Sequence, residues 1–190
     1  MKKLVIVILL TTALAATAAA QNMWLSGTMR LWGRSLDTQS ENSLTLIPEF
    51  GYRLDGPWAV GGQLGFHSEW TTVNNNTRRV NRTSIVPFLR YGVGEPNSIS
   101  FFAQAEMPLN FYGGEDFDGT SLSSSTSVGL NLRPGMYYSF NERWGVTMYM
   151  PPVFFIERHD DETVYEFAFN HGYTIQRYLL STSLGITYNF

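Results

Sequence analysis

Long runs of strict two-residue alternation constrain this chain more than any other feature. In TSIVPFLRYGV (83–93), Ile85, Pro87, Leu89, Tyr91 and Val93 occupy one face, and Val86, Phe88, Arg90 and Gly92 the other. SISFFAQAEMPLNF (98–111) sets Ile99, Phe101, Ala103, Ala105, Met107, Leu109 and Phe111 against Ser100, Phe102, Gln104, Glu106, Pro108 and Asn110. SVGLNLRPGMYY (127–138) and the terminal LGITYNF (184–190) repeat the pattern. Successive side chains of an extended strand point to opposite faces, so these are strands with one apolar and one polar face. Eight such segments follow the leader, at 23–35, 43–54, 58–70, 83–93, 98–112, 122–138, 143–157 and 176–190. Strands of about 11 to 15 residues are long against the usual 5–6 of soluble sheets.

The connectors alternate as well. Asp55-Gly56-Pro57, Gly94-Glu95-Pro96-Asn97 and Phe140-Asn141-Glu142 are tight turns. Between them lie longer polar stretches at 35–42, 71–82, 113–121 and 158–174. An order of long, short, long, short, long, short, long is that of an up-and-down barrel with all tight turns at one end. Seven connectors between eight strands also bring both termini to the tight-turn end. A soluble sandwich or lipocalin-like barrel would place the aromatic face in a core instead. Against that, the polar face mixes glycines with Arg and Glu, which suits a narrow interior. Trp24, Trp58, Trp70, Trp144, Tyr52, Tyr91, Tyr138 and Tyr188 also gather near segment ends, as interfacial girdles require.

The N-terminus reads as a secretory signal. Met1-Lys2-Lys3 is a basic start, Leu4 to Leu10 with Ala13 to Ala16 forms a short apolar stretch, and Ala18-Ala19-Ala20 precedes Gln21 as a cleavage site. The domain boundaries expected are therefore a signal peptide at 1–20 and one barrel domain at 21–190. Beyond residue 20 the chain holds 11 arginines, no lysine and 16 acidic residues, a net charge of −5. That balance argues against nucleic acid as a partner. The absence of cysteine excludes a disulfide framework and a lipid-anchored cysteine. Aromatics reach 15% although mean hydropathy is only −0.12. Many aromatics without a long apolar run mean apolar residues dispersed by alternation.

The signal, the connector asymmetry, FGYRLDGPWAVGGQLGF (50–66), IVPFLRYGV and LGITYNF together resemble the small eight-stranded outer-membrane β-barrels of the OmpA-barrel, OmpX and OmpW kind. The resemblance covers the whole chain after residue 20. It implies an all-β fold, an eight-stranded antiparallel up-and-down transmembrane barrel, monomeric and with periplasmic termini. It also implies contact with outer-membrane lipid and lipopolysaccharide, and with the barrel-assembly machinery during insertion. In these families a C-terminal aromatic belongs to the signal which that machinery reads, and Tyr188 with Phe190 matches it. No periplasmic domain is expected after Phe190, so anchoring to peptidoglycan is not indicated.

The residues that could carry chemistry lie on the inward face. Arg30, Glu49, Arg53, Gln63, His67, Arg90, Gln104, Glu106, Asn131, Arg133 and Arg177 would enter the lumen. An eight-stranded barrel is barely wide enough for side chains, so such charges must pair and hydrogen-bond. An Arg/Glu network centred on Glu49, Arg90, Glu106 and Arg133 is the expectation. It fills the barrel, or, as the OmpA-type resemblance would allow, gates a narrow ion path. Arg78, Arg79 and Arg82 in the second polar stretch could contact lipopolysaccharide phosphates.

Catalysis is poorly supported. His67-Ser68-Glu69 has the residue types of a lipid-A esterase, but as consecutive strand residues they put Ser68 on the opposite face. The acidic clusters at Glu115, Asp116, Asp118 and at Glu157, Asp160, Asp161, Glu162 do not match a calcium loop. No cofactor or metal site is expected. VYEFAF (164–169) is unusually apolar for a polar connector and suggests either an exposed hairpin or packing on the upper rim. The function expected is non-enzymatic, in envelope structure or surface interaction. A narrow channel is the alternative, and lipid-A chemistry the third. A folded barrel should run differently on a gel before and after boiling; identical mobility with protease access throughout would argue for a soluble sandwich.

Overall fold

The structure is a computed structural model, which describes residues 22–36, 38–74, 76–93, 99–159, 162–167 and 182–190. The expected signal peptide and Arg177 lie outside these residues. Eleven antiparallel strands form one sheet. They are β1 (Met23–Leu36), β2 (Gln39–Arg53), β3 (Trp58–Val73), β4 (Asn76–Val93), β5 (Ile99–Glu106), β6 (Leu109–Glu115), β7 (Ser125–Ser139), β8 (Trp144–Tyr149), β9 (Phe154–His159), β10 (Glu162–Phe167) and β11 (Ser183–Asn189). β5 and β6 both lie between β4 and β7 and make one stave, interrupted at Met107-Pro108. β8 and β9 both flank β7 and make another, interrupted at Pro151-Pro152. β10 and β11 supply the eighth stave. Pairing of β1 with β11, in the register Trp24↔Asn189 to Thr28↔Gly185, closes an eight-stave barrel.

Proline explains the interruptions, because it cannot donate to the ladder. The sheet is nevertheless sealed across each gap. Met107 N–H donates to the Pro87 carbonyl at 3.0 Å and Gly129 N–H to that of Pro108 at 2.9 Å. Met150 N–H donates to Pro134 and Val153 N–H to Leu132 in the same way. The sheet therefore continues through both prolines.

Two of the long polar connectors are not loops. β1 runs to Leu36 and β2 begins at Gln39, while β3 runs to Val73 and β4 begins at Asn76. Residues 35–42 and 71–82 are thus mostly strand, and the hairpins project past the alternating apolar region. Asn74, at φ 49°, makes the second turn, as an Asn can in the left-handed region. The polarity that suggested loops reflects residues with no apolar surroundings to face. The third connector is open chain after Glu115, apart from one bridge between Glu115 and Ser121. At the other end, Leu54 N–H bonds the Trp58 carbonyl around Gly56, which sits at φ 78°. Phe190 N–H donates to the Met23 carbonyl at 3.1 Å, so both described ends of the chain meet at this tight-turn end.

The distribution of apolar residues is inverted relative to a water-soluble domain. Among the described residues, 34 large hydrophobic side chains are exposed and only six hydrophobic residues are buried. Those six, Trp24, Ala59, Val86, Phe88, Phe102 and Tyr149, sit inside with Glu49, Gln63, Gln104 and Glu106. Soluble monomers rarely expose apolar patches beyond roughly 300–600 Å². An unbroken apolar exterior of this kind suits lipid. Around the tight-turn end, Trp58 stacks edge-on with Tyr91, Trp144 with Tyr188, Tyr138 with Phe140, and Tyr188 with Phe190. Trp24 does not join this girdle, contrary to expectation. It shares its face with Ser26 and Thr28 and is 3% exposed, inside the barrel.

Glycines inside the barrel make room for these rings. A Cβ on Gly51 would fall 2.0 Å from the Trp24 ring, and one on Gly61 2.4 Å from Phe88. A Cβ on Gly135 would fall 2.2 Å from Phe102. Each of these three aromatics therefore faces an inward glycine, a large-small pairing that fills a narrow barrel. Gly51→Ala is expected to destabilise the barrel by about 1–3 kcal/mol through overpacking. A lowered urea midpoint in lipid vesicles checks this, with Gly62→Ala, where a Cβ meets nothing within 4 Å, as the unaffected control.

Candidate functional site: the occluded lumen

A single hydrogen-bonded layer crosses the barrel at mid-height. Glu49 on β2 accepts from Trp24 Nε1 at 2.9 Å, Gln63 Nε2 at 2.6 Å and Arg90 Nη2 at 2.8 Å. Arg90 on β4 also donates from Nε to Gln104 Oε1 at 2.7 Å and from Nη2 to the Tyr149 hydroxyl at 3.3 Å. Gln104 passes the chain on, its amide donating to Glu106 Oε1 at 2.8 Å. Glu106 Oε2 then receives Arg133 Nη2 at 3.2 Å and Asn131 Nδ2 at 3.5 Å. Seven staves thus contribute to one uninterrupted polar chain. Adjacent inward positions of neighbouring antiparallel strands lie opposite one another, so the pairings Glu49↔Gln63, Arg90↔Gln104 and Glu106↔Asn131 follow from register.

Arg90 is the centre of this layer. Its guanidinium lies 4.1 Å from the Phe102 ring centroid, 5.0 Å from Trp24, 5.2 Å from Phe88 and 5.8 Å from Tyr149. The Arg90 side chain is 12% exposed and that of Glu49 2%. Burial of an ion pair is costly unless its remaining donors and acceptors are met. Here the carboxylate has three donors, and the guanidinium has one anion, two neutral oxygens and four ring faces. Arginine suits such a place because its planar, weakly hydrated cation stacks on aromatics while its edge hydrogen-bonds.

Open space lies on both sides of the layer. Toward the tight-turn end is a cavity of about 540 Å³ walled by Trp24, Arg53, Phe102, Tyr137 and Asn189. Toward the hairpin end is one of about 180 Å³, lined by His67, Arg82, Asn110, Arg133 and Glu157. Only about 10 Å³ separates out between them, beside Glu49, Gln63, Arg133 and Tyr149. That is near the minimum for one water, so the layer occludes the lumen.

The candidate residues divide among these levels. Glu49, Gln63, Arg90, Gln104, Glu106, Asn131 and Arg133 form the layer. Arg53 stands below it, donating to Asn189 Oδ1 at 2.6 Å, with Asn189 in turn donating to the Tyr137 hydroxyl at 2.7 Å. His67 stands above, its Nδ1 2.8 Å from Thr45 Oγ1 and its Nε2 3.7 Å from Glu69. Arg30 continues the inward face of β1 but is exposed above the layer and takes no part in it. Sequence reading placed Trp24 in the girdle and so missed its bond to Glu49. The signal was present, since Trp24 alternates with Ser26 and Thr28, opposite to Met23 and Leu25.

The three arginines of the second hairpin do not form one patch. Arg79 faces outward, donating to Asn81 Oδ1 at 3.1 Å and lying 5.8 Å from the Trp70 ring centroid. Arg78 and Arg82 share the inward register. Arg78 approaches Asp116 at 3.8 Å, and Arg82 lines the upper cavity. Ser68 points outward and donates to Asn81 Oδ1 at 2.6 Å, so it does not meet His67. The acidic third connector folds on itself. Asp118 accepts from both the N–H and the hydroxyl of Thr120, which holds its carboxyl below the usual range. Among the described residues no group of three or more His, Asp or Glu is placed to hold a metal. Of the apolar VYEFAF stretch, Val164, Tyr165 and Phe167 are exposed on β10, and Phe167 packs on Phe154 at 4.9 Å.

No protein-family model matches this chain, and no curated protein matches its sequence. Among solved structures, the crystal structure of Neisserial surface protein A superposes with a TM-score of 0.50. The match covers 88% of this chain and 96% of that one at 13% identity. At that identity the likeness is one of fold, and it agrees with the closed eight-stave barrel described above.

If Glu49 and Arg90 hold the layer together, Glu49→Ala should cost about 3–5 kcal/mol by stranding a buried cation. The double variant Glu49→Gln, Arg90→Met should lose much less. Unfolding in urea, followed by tryptophan fluorescence, measures both; a double variant as weak as the single would show that the pair does not govern the layer.

Proposed function

We infer the function from the fold, a closed eight-stranded antiparallel barrel with an apolar exterior like that of the small outer-membrane barrels. We propose that this chain is an integral, monomeric outer-membrane protein of a diderm bacterium, non-enzymatic, serving envelope structure or surface interaction through its projecting hairpins. The observation that carries this reading is the Glu49–Arg90–Gln104–Glu106–Arg133 layer, which closes the lumen of a barrel whose outside is apolar. A closed barrel offers its outer surface and its hairpins for work. The similar solved structure is that of a surface protein.

Outer-face features support lipid contact. Arg79 beside Trp70 places a cation and an indole together where the second hairpin leaves the apolar zone. That pairing suits the phosphate-rich boundary of an outer leaflet. Arg78 and Arg82, on the inward side, contribute to that contact less directly. At the opposite end, Tyr188 and Phe190 complete the stacked cluster with Trp144, and they are proposed as the recognition signal of the assembly machinery.

One observation favours a second reading, a narrow gated path. The cavities on either side of the layer are separated by side chains alone. Planar bilayer recordings distinguish the two. The closed-barrel reading expects no unitary conductance from the wild type or from Glu106→Ala; discrete openings enhanced by Glu106→Ala would establish the path instead. Mass spectrometry of lipid A from cells with and without the protein should give identical acyl patterns, and any gained or lost chain would make it an enzyme.

A further inference from the structure

The lower cavity faces a charge that the layer above it does not neutralise. It measures about 540 Å³ and reaches the tight turns at Gly56, Pro57 and Glu142. Pockets that take small organic ligands span roughly 300–1,000 Å³. The space exists because Gly92, Ser100 and Ser139 put little into it from β4, β5 and β7, where larger inward residues would fill an eight-stranded barrel. Buried Trp24, Ala59 and Phe102 give it an apolar wall.

Arg53 brings the charge, and its side chain is reachable, being exposed on the cavity wall. Its Nη2 donates to Asn189 Oδ1 at 2.6 Å, and its guanidinium lies 5.7 Å from the Trp24 ring centroid. Both partners are neutral. Among the described residues no carboxylate comes within ion-pair distance of Arg53, whereas Arg90, Arg133 and Arg78 each have one. The charged group that acts on it electrostatically is a second cation, Arg90, whose own charge Glu49 matches inside the layer. Glu142, the carboxylate at the rim, is exposed on the β7–β8 turn and makes no ion pair with Arg53. Arg53 is also held in place. Asn189 donates to the Tyr137 hydroxyl at 2.7 Å and to the Arg143 carbonyl at 3.3 Å, which turns its Oδ1 to Arg53. The Tyr137 oxygen accepts in that bond, leaving its O–H to donate to a ligand in the cavity.

We propose that the lower cavity binds a small organic monocarboxylate with an apolar body, its carboxylate on the Arg53 guanidinium and the Tyr137 hydroxyl, its body against Ala59 and Phe102. The planar arginine fork presents paired donors to a planar carboxylate. One unmatched cation suits one negative charge; a dianion such as phosphate would leave a charge unpaired beside apolar walls. The apolar body supplies the rest of the binding, because water leaves the Ala59 and Phe102 side chains as it enters. The layer of Glu49, Arg90 and Gln104 above stops the ligand at this depth, so it is bound and not transported. The inference goes beyond the proposed surface role and needs only the barrel itself.

The test uses the refolded barrel in a non-ionic detergent, with para-fluorophenylacetate as the probe. Fluorine NMR line broadening is titrated with the barrel and, as a blank, with protein-free micelles. Saturable broadening by the barrel beyond the blank is expected. Para-fluorophenylethanol, the same body without the charge, and fluoroacetate, the charge without the body, should each bind at least tenfold more weakly. Arg53→Gln should weaken binding of the probe at least tenfold, and Arg34→Gln, at the exposed hairpin end of β1, should leave it unchanged. A heat-shifted gel band confirms that each variant is folded. Should Arg53→Gln not refold, Tyr137→Phe, which removes one hydroxyl, should still weaken binding several-fold. Crystals soaked in para-bromophenylacetate should show an anomalous bromine peak beside Phe102. Equal binding of the alcohol or of fluoroacetate would overturn the proposal. So would undiminished binding by the folded Arg53 variant, or a bromine peak confined to the outside of the barrel.

Discussion

The barrel depends on how one buried cation is accommodated. Arg90 enters the narrow lumen with only 12% of its side chain exposed. Glu49 neutralises it, Gln104 and Tyr149 accept its other donors, and four aromatic rings turn their electron-rich faces toward it. Apart from Phe88 on its own strand, its partners come from four other staves, β1, β2, β5 and β8, so the ion pair ties the wall together as a spoke ties a rim. Without that pairing the same arginine would be a large unfavourable charge in a low-dielectric interior. The stability of the pair is inseparable from the closure of the sheet, because only closure brings Trp24, Glu49, Arg90 and Tyr149 to one level.

Space inside the barrel is apportioned with equal economy. Trp24, Phe88 and Phe102 each face an inward glycine, and the gap left by the absent Cβ is the seat of the ring. The rings in turn carry the cation. Outside, the chain follows the opposite rule: long aliphatic and aromatic residues project freely, and at the tight-turn end they stack as Trp58–Tyr91 and Trp144–Tyr188. The same residue type thus does two jobs by parity alone. Trp24 inside bonds a carboxylate, and Trp144, outside, stacks on Tyr188.

Parity was readable along the sequence wherever both faces differ in polarity. Residues 83–93 and 98–111 show this directly, down to the inward positions of Phe88, Phe102 and Pro108. It was unreadable in two circumstances. Where strands leave the apolar zone, at 35–42 and 71–82, both faces are polar, and continuous strand looks like loop. Where an aromatic sits near a strand end, as Trp24 does, composition suggests a girdle although its neighbours Ser26 and Thr28 already place it inside. Arg82 reads as part of a polar connector for the first of these reasons, and its inward register becomes visible only once β4 is continuous from Asn76.

The sequence by itself determined the strand period, the order of the staves and most of the inward residues of the half-apolar strands, since all three follow from alternation and turn chemistry along a single strand. It also determined that those inward residues must pair, because charge cannot be buried alone. Only the tertiary structure decided which residue pairs with which, that the pairs form one occluding layer, and that Arg82 and Arg133 share a cavity above it. Height in the barrel depends on the stagger between staves, a relation between strands distant in the chain, and no local pattern encodes it.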